Sequence, residues 1–233
     1  MEKKTGLDRF TLKSIALSAM LVDHIAAVFL PGYGWIYYIC RFIGRMTAPI
    51  MCFFLTEGFI HTSSRKKYIL RMAIFALIAQ PAYTLAFYRK LLTPHFSMIS
   101  TLCISLVMLC CLEKIKPLWL KILAVGLLAL MTYPCDWGIY APVMVLGFYL
   151  MRERGILRLS VLGVISVGMV VMYGLAMGVP GAFMHCGMIA SLALLSLYNG
   201  ERGPDGGAAK WFFYIFYPAH LYVIYIVERI VFC

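Results

Sequence analysis

Charge is scarce in this chain. Only 13% of its 233 residues are charged and 63% are hydrophobic, whereas a soluble domain is nearer a quarter charged and half apolar. No strict apolar–polar alternation runs through it, which excludes a β-barrel. Its eight cysteines form no C-x-x-C and no regular spacing, so they read as buried, reduced, small hydrophobes. No HExxH or comparable ligand spacing occurs, so no metal is expected. Acidic residues number 10 against 21 basic ones, a net charge of +11. That excess would suggest nucleic acid in a soluble protein, but no basic face interleaved with aromatics exists, so nucleic acid is not an expected partner.

What the chain has instead is long apolar runs. Nine membrane spans are expected, at 12–30, 36–61, 68–88, 96–112, 118–133, 138–151, 159–177, 182–199 and 211–230. The expected fold is an all-α polytopic integral membrane protein, with residues 1–233 as a single transmembrane domain and no soluble domain. The basic N-terminus before span 1 looks like a signal peptide. The run after it is too long, carries an acid and an imidazole, and lacks an A-x-A-like site, so it reads as an uncleaved span.

The breaks between spans are explicit: Pro31-Gly32, "TSSRKK", "YRKLLTPH", "EKIKP", "YPCDWG", "RERGILR", "GVPG" and "NGERGPDGGAAK". The basic residues sort by alternate loops. Fourteen (Lys3, Lys4, Arg9, Lys13, Arg65, Lys66, Lys67, Lys114, Lys116, Arg152, Arg154, Arg158, Arg202 and Lys210) fall on one side, against Arg89, Lys90 and Arg229 on the other. This bias predicts a cytoplasmic N-terminus and an external C-terminus.

Ionisable groups inside spans cost several kcal/mol and face the bundle interior, usually for function. Asp23 and His24 lie mid-way along span 1; Arg41, Arg45 and Glu57 lie in span 2. Asp23 is ten residues before Tyr33, at the turn, and Arg41 eight after it. At about 1.5 Å per residue they lie within about 3 Å of one depth. Asp23 is therefore expected to neutralise Arg41 or Arg45. His24, rotated about 100° away, is expected to point into a cavity as a general base. A packing ion pair and an interhelical histidine are the plainer alternatives.

A second set lies at the cytoplasmic ends: Glu57, His61, Arg71 and the loop residues Tyr198, Asn199, Gly200 and Arg202. Basic groups with glycine-rich backbone suit an anionic ligand, although snorkelling explains Arg71 as simply. A third set, His95, Asp136 and His185, lies at the outer ends, and His220 falls about midway along span 9.

Five stretches, "KSIALSAMLVDHI", "RFIGRMTAPIMCFFLTEGFIHT", "KKYILRMAIFALIAQPAY", "CDWGIY" and "LYNGERG" followed by "KWFFYIFYPAHLYVIY", together resemble the TraX family. That family is named for a membrane protein required for N-terminal acetylation of conjugative pilin, and is similar to broader transmembrane acyltransferases. The resemblance implies an acyltransferase that moves an acetyl group from cytoplasmic acetyl-CoA, a co-substrate, to an amine or hydroxyl acceptor. The acceptor would be a pilin or an envelope small molecule or glycan, and lipid would surround the protein. It implies catalytic roles for His24, Asp23 and Arg45 in a protein of the bacterial inner membrane; Arg41 joins them by its depth alone. It implies cofactor-side roles for Glu57, His61, Tyr198, Asn199, Gly200 and Arg202, to which Arg71 is added by its cytoplasmic position, and acceptor-side roles for Asp136, Tyr217 and His220, to which His95 and His185 are added by their outer position. A homodimer is compatible with it. A transporter or lipid-handling protein is the competing expectation, against which stand unbroken spans and the lack of an inverted repeat.

Overall fold

The computed structural model describes residues 5–204 and 206–232. Lys3, Lys4 and Cys233 lie outside these, as does the side chain of Lys210. Among the described residues there is no strand. The helices are α1 (Arg9–Phe29), α2 (Gly34–Gly44), α3 (Thr47–His61), α4 (Arg65–Tyr88), α5 (Met98–Lys114), α6 (Leu118–Met131), α7 (Tyr140–Leu150), α8 (Ile156–Ser196) and α9 (Gly207–Phe232). Five stretches are long and apolar enough to cross a membrane: α1, α2 with α3, α4, α8, and Trp211–Phe232 of α9. Large apolar side chains stand exposed along them, Leu77 at 75% and Leu175 at 85%. A surface this greasy belongs to a membrane protein, not one bathed in water.

Local chemistry sets the helix ends. Asp8 caps α1, its carboxylate accepting from the Thr11 N–H at 2.7 Å. Pro31-Gly32 stops it. The expected single span 36–61 is interrupted: α2 ends at Gly44, a tight turn at Arg45-Met46 follows, and α3 begins at Thr47. Pro49 supplies the reason, since it has no N–H to give the Arg45 carbonyl. The "GVPG" break sits inside α8, where Gly178 takes φ 70° and ψ −157°. There the helix folds back: the rings of Tyr173 and His185 stack with centroids 3.7 Å apart, although twelve residues of straight helix would separate them by about 18 Å. The two limbs match the spans expected at 159–177 and 182–199.

The chain forms two compact units. The first contains α1, α2, the start of α3, α8 and α9. In it α1 and α9 run parallel: Phe10 meets Phe213 at one end (5.5 Å) and Phe29 meets Phe232 at the other (6.1 Å). Helix α2 returns antiparallel to α1 and packs on α8. The second unit, Cys52–Arg152, contains the rest of α3 and α4 to α7. Helices α4 and α5 form an antiparallel hairpin: Arg65 pairs with Glu113 at its open end, and the Gln80 side chain holds the His95 carbonyl (2.7 Å) and the Ser97 N–H (3.0 Å) near its turn. Helices α5 and α7 run parallel, tied by Thr101 to the Asp136 carbonyl (2.7 Å) and by Tyr149 to Glu113 (2.5 Å).

Candidate functional site

The intramembrane polar residues of the first unit converge. Arg41 Nη1 donates to Asp23 Oδ2 at 2.8 Å. Both side chains are largely buried, at 16% and 14% exposure, so the depth estimate from the turn selects the right partners. Gly44 makes the approach feasible: a Cβ there would run into the Asp23 carboxyl group. Arg45, one turn on, acts electrostatically on Asp23 and on His185 and reaches toward Met184 Sδ at 4.0 Å. It lies in the turn that Pro49 imposes, which sets its direction apart from that of a continuous helix.

His24, expected to point into a cavity, is packed against a second imidazole. Its ring is 6% exposed and its Nδ1 lies 2.7 Å from Nε2 of His220, on α9. The second nitrogen of His220, Nδ1, is 2.7 Å from the carbonyl of Phe216, one turn back along α9. Tyr217 stands edge-on to both imidazoles, 6.2 Å from His24 and 5.7 Å from His220. His220 and Tyr217, placed with the acceptor side on sequence grounds, thus surround the residue expected to be the base. Asp23 faces Arg41 and His24 faces His220, as the 100° divergence of neighbouring helical residues requires.

His185 also belongs to this unit. It is 1% exposed, its Nδ1 donates to the Gly181 carbonyl at 2.9 Å, and it stacks on Tyr173. His95 and Asp136, grouped with it as an outer set, lie instead in the second unit, where residues 96 and 135 pair through backbone. His95 is exposed and stacks on Tyr88 at 4.7 Å.

The cytoplasmic set divides between the units. Tyr198, Asn199, Gly200 and Arg202 lie in the first, where their loop clasps the N-terminal segment. The Leu7 N–H donates to the Leu197 carbonyl (2.8 Å), the Asn199 N–H to the Leu7 carbonyl (3.0 Å) and the Arg9 N–H to the Glu201 carbonyl (2.9 Å). The Asn199 amide oxygen accepts from the Glu201 N–H at 2.8 Å. This is a structural role that glycine-rich turn chemistry in the sequence did not suggest. Glu57, His61 and Arg71 lie in the second unit. His61 is exposed and donates to the Glu57 carbonyl at 2.9 Å. Arg71 lies over the Tyr68 ring at 5.7 Å, with a buried Nε that has no hydrogen-bond partner among the described residues. Glu113 and Tyr149, which no motif singled out, join Arg65 in one network, and Arg152 covers the Tyr149 ring at 4.5 Å. Among the described residues, no three His, Cys, Asp or Glu side chains gather as a metal site.

Chemically, the first unit offers a buried imidazole pair with guanidinium groups at the same depth. Such a set can move a proton and stabilise developing negative charge away from water.

The family model described as TraX protein matches residues 8–228. The probable fimbrial assembly protein FimC, serogroup H1, of Dichelobacter nodosus is 31% identical over 245 residues, covering 95% of this chain and 96% of that protein. No solved structure matches the chain.

Proposed function

This chain belongs to the TraX family, and on that premise we propose that it is a membrane-embedded acyltransferase using acetyl-CoA. One observation carries the reading: a buried histidine in the middle of a membrane helix, hydrogen-bonded to a second histidine and at the level of an Asp–Arg pair. In the proposed reaction His24 takes a proton from an acceptor amine or hydroxyl as that atom attacks the acetyl carbonyl. The carbon–sulfur bond of acetyl-CoA breaks, and the thiolate leaves with the proton that His24 releases. The oxyanion is assigned to Arg45, one turn beyond the Asp23–Arg41 pair, a contribution of a few kcal/mol in comparable sites. The Dichelobacter nodosus relative is named for fimbrial assembly, which favours a pilus subunit or another cell-envelope molecule as acceptor.

Purified protein in lipid nanodiscs, given labelled acetyl-CoA and an amine acceptor, should release CoA thiol and acetylated product in equal amounts. Folded protein that releases neither, while proteoliposomes move a solute, would replace this reading with a transporter.

Arg202 is proposed to meet a CoA phosphate, because it stands exposed in the glycine-rich loop of the unit that holds His24, and basic groups beside such backbone suit an anion. Arg202→Ala should raise KM for acetyl-CoA by about 10- to 10²-fold, the worth of one charge-assisted hydrogen bond, with a smaller effect at high salt. An unchanged KM would move the phosphate contact elsewhere.

The proposed topology has nine crossings, counting α2 with α3 as one and the limbs of α8 as two. The N-terminus is cytoplasmic and the C-terminus external. The parallel run of α1 and α9 supports termini on opposite faces, and the basic loops support the polarity. An alkaline phosphatase fused to the C-terminus should be active, and a reporter inserted after Lys67 should behave as cytoplasmic. An inactive C-terminal fusion in stably inserted protein is the result that this topology does not allow.

A further inference from the structure

His220 makes two hydrogen bonds, and they are not independent. Its Nδ1 lies 2.7 Å from the Phe216 carbonyl. A carbonyl only accepts, so the proton there is on His220 Nδ1. A neutral imidazole carries a single N–H, so His220 Nε2 is a bare lone pair. That lone pair lies 2.7 Å from His24 Nδ1. Two lone pairs do not approach so closely in a buried place, so the proton between the rings belongs to His24 Nδ1. The remaining nitrogen of His24, Nε2, then carries no proton and is the one able to accept one.

We infer that His220 is a positioning residue that fixes His24 in its Nδ1–H tautomer and so presents Nε2 as the base. This rests on the acyltransferase reading given above and deepens it. The device is a chain of three groups: the α9 backbone orients His220, and His220 orients His24. An Asp or Glu beside a base does the same elsewhere, but here the partner is a neutral ring. The adjacent carboxylate, Asp23, is held by Arg41.

Three substitutions at one position separate this role from packing. Gln places an amide oxygen near the position of the imidazole Nε2 and can accept from His24. Asn places its polar atoms near Nδ1, where they reach Phe216 but not His24. Phe fills the volume with neither bond. In nanodisc-reconstituted full-length protein, His220→Asn and His220→Phe should each lower kcat by about 10²-fold or more, the scale of a base held in the wrong tautomer. KM for acetyl-CoA should not change. His220→Gln should recover most of that loss. Equal activity of the Gln, Asn and Phe variants, at matched folded yield, would overturn the inference.

A second measurement does not depend on activity. Ring-nitrogen NMR of histidine-labelled wild-type protein, with His24 assigned from the His24→Asn spectrum, should show His24 as the Nδ1–H tautomer. An Nε2–H tautomer would overturn the inference. If His24→Asn itself retains transfer, the acyltransferase role of His24 falls, while the NMR result still decides whether His220 sets its tautomer.

Discussion

His24→Asn should yield a folded, inserted protein that still binds acetyl-CoA and has lost transfer by about 10²-fold or more, the contribution of a general base. Asparagine is the sharper variant than alanine. Its side-chain N–H falls near the position of the imidazole Nδ1 and keeps the donor that His220 Nε2 faces at 2.7 Å. Alanine would leave that buried lone pair without a donor, at a cost of about 1–3 kcal/mol, and would mix a stability loss with a chemical one. The measurement is kcat in nanodiscs with KM for acetyl-CoA followed in parallel. Loss confined to kcat assigns His24 to the chemical step. Near-normal turnover at normal yield would make His24 a packing residue. His185, buried and bonded through Nδ1 to the Gly181 carbonyl, would then become the base to test.

Asp23→Ala should act on stability first. Its carboxylate is the counter-charge for Arg41, and both sit where apolar helices α1 and α2 pack together. Removing one member of a buried pair strands the other, typically at about 3–5 kcal/mol. The unfolding midpoint in detergent and the yield of inserted protein should both fall. The double variant Asp23→Ala with Arg41→Met should recover much of the loss, because the stranded charge is then gone. A single variant as stable as wild type would mean that the 2.8 Å contact contributes nothing. Gly44→Val should resemble Asp23→Ala in yield, since its side chain would occupy the space of the carboxyl group.

Much of this architecture was legible in the chain. Helix limits followed from hydropathy and from Pro, Gly and basic punctuation, because a backbone in lipid must satisfy its own hydrogen bonds and so stays helical until such a break. The fold-back at Gly178 lies within the "GVPG" break for that reason. The Asp23–Arg41 pair followed from counting residues to a tight turn, since a hairpin converts sequence distance into depth. The interruption at Arg45-Met46 was within reach of the same logic: Pro49 four residues on withholds a donor. A long apolar run hid it.

What lay beyond the sequence were contacts between helices distant along the chain. His24 and His220 are 196 residues apart, and hydropathy says that each is buried without saying which face of α9 turns toward α1. The Tyr198–Arg202 loop reads from sequence as an anion site, and its backbone pairing with the N-terminal segment has no side-chain signature. His95, Asp136 and His185 share an expected depth, yet the fold places His185 in one unit and the other two in the second. Depth is a one-dimensional quantity, read by counting residues through the bilayer. The rotation of each helix about its axis, and which helices become neighbours, come from close packing of many small contacts, and only the tertiary structure decides them.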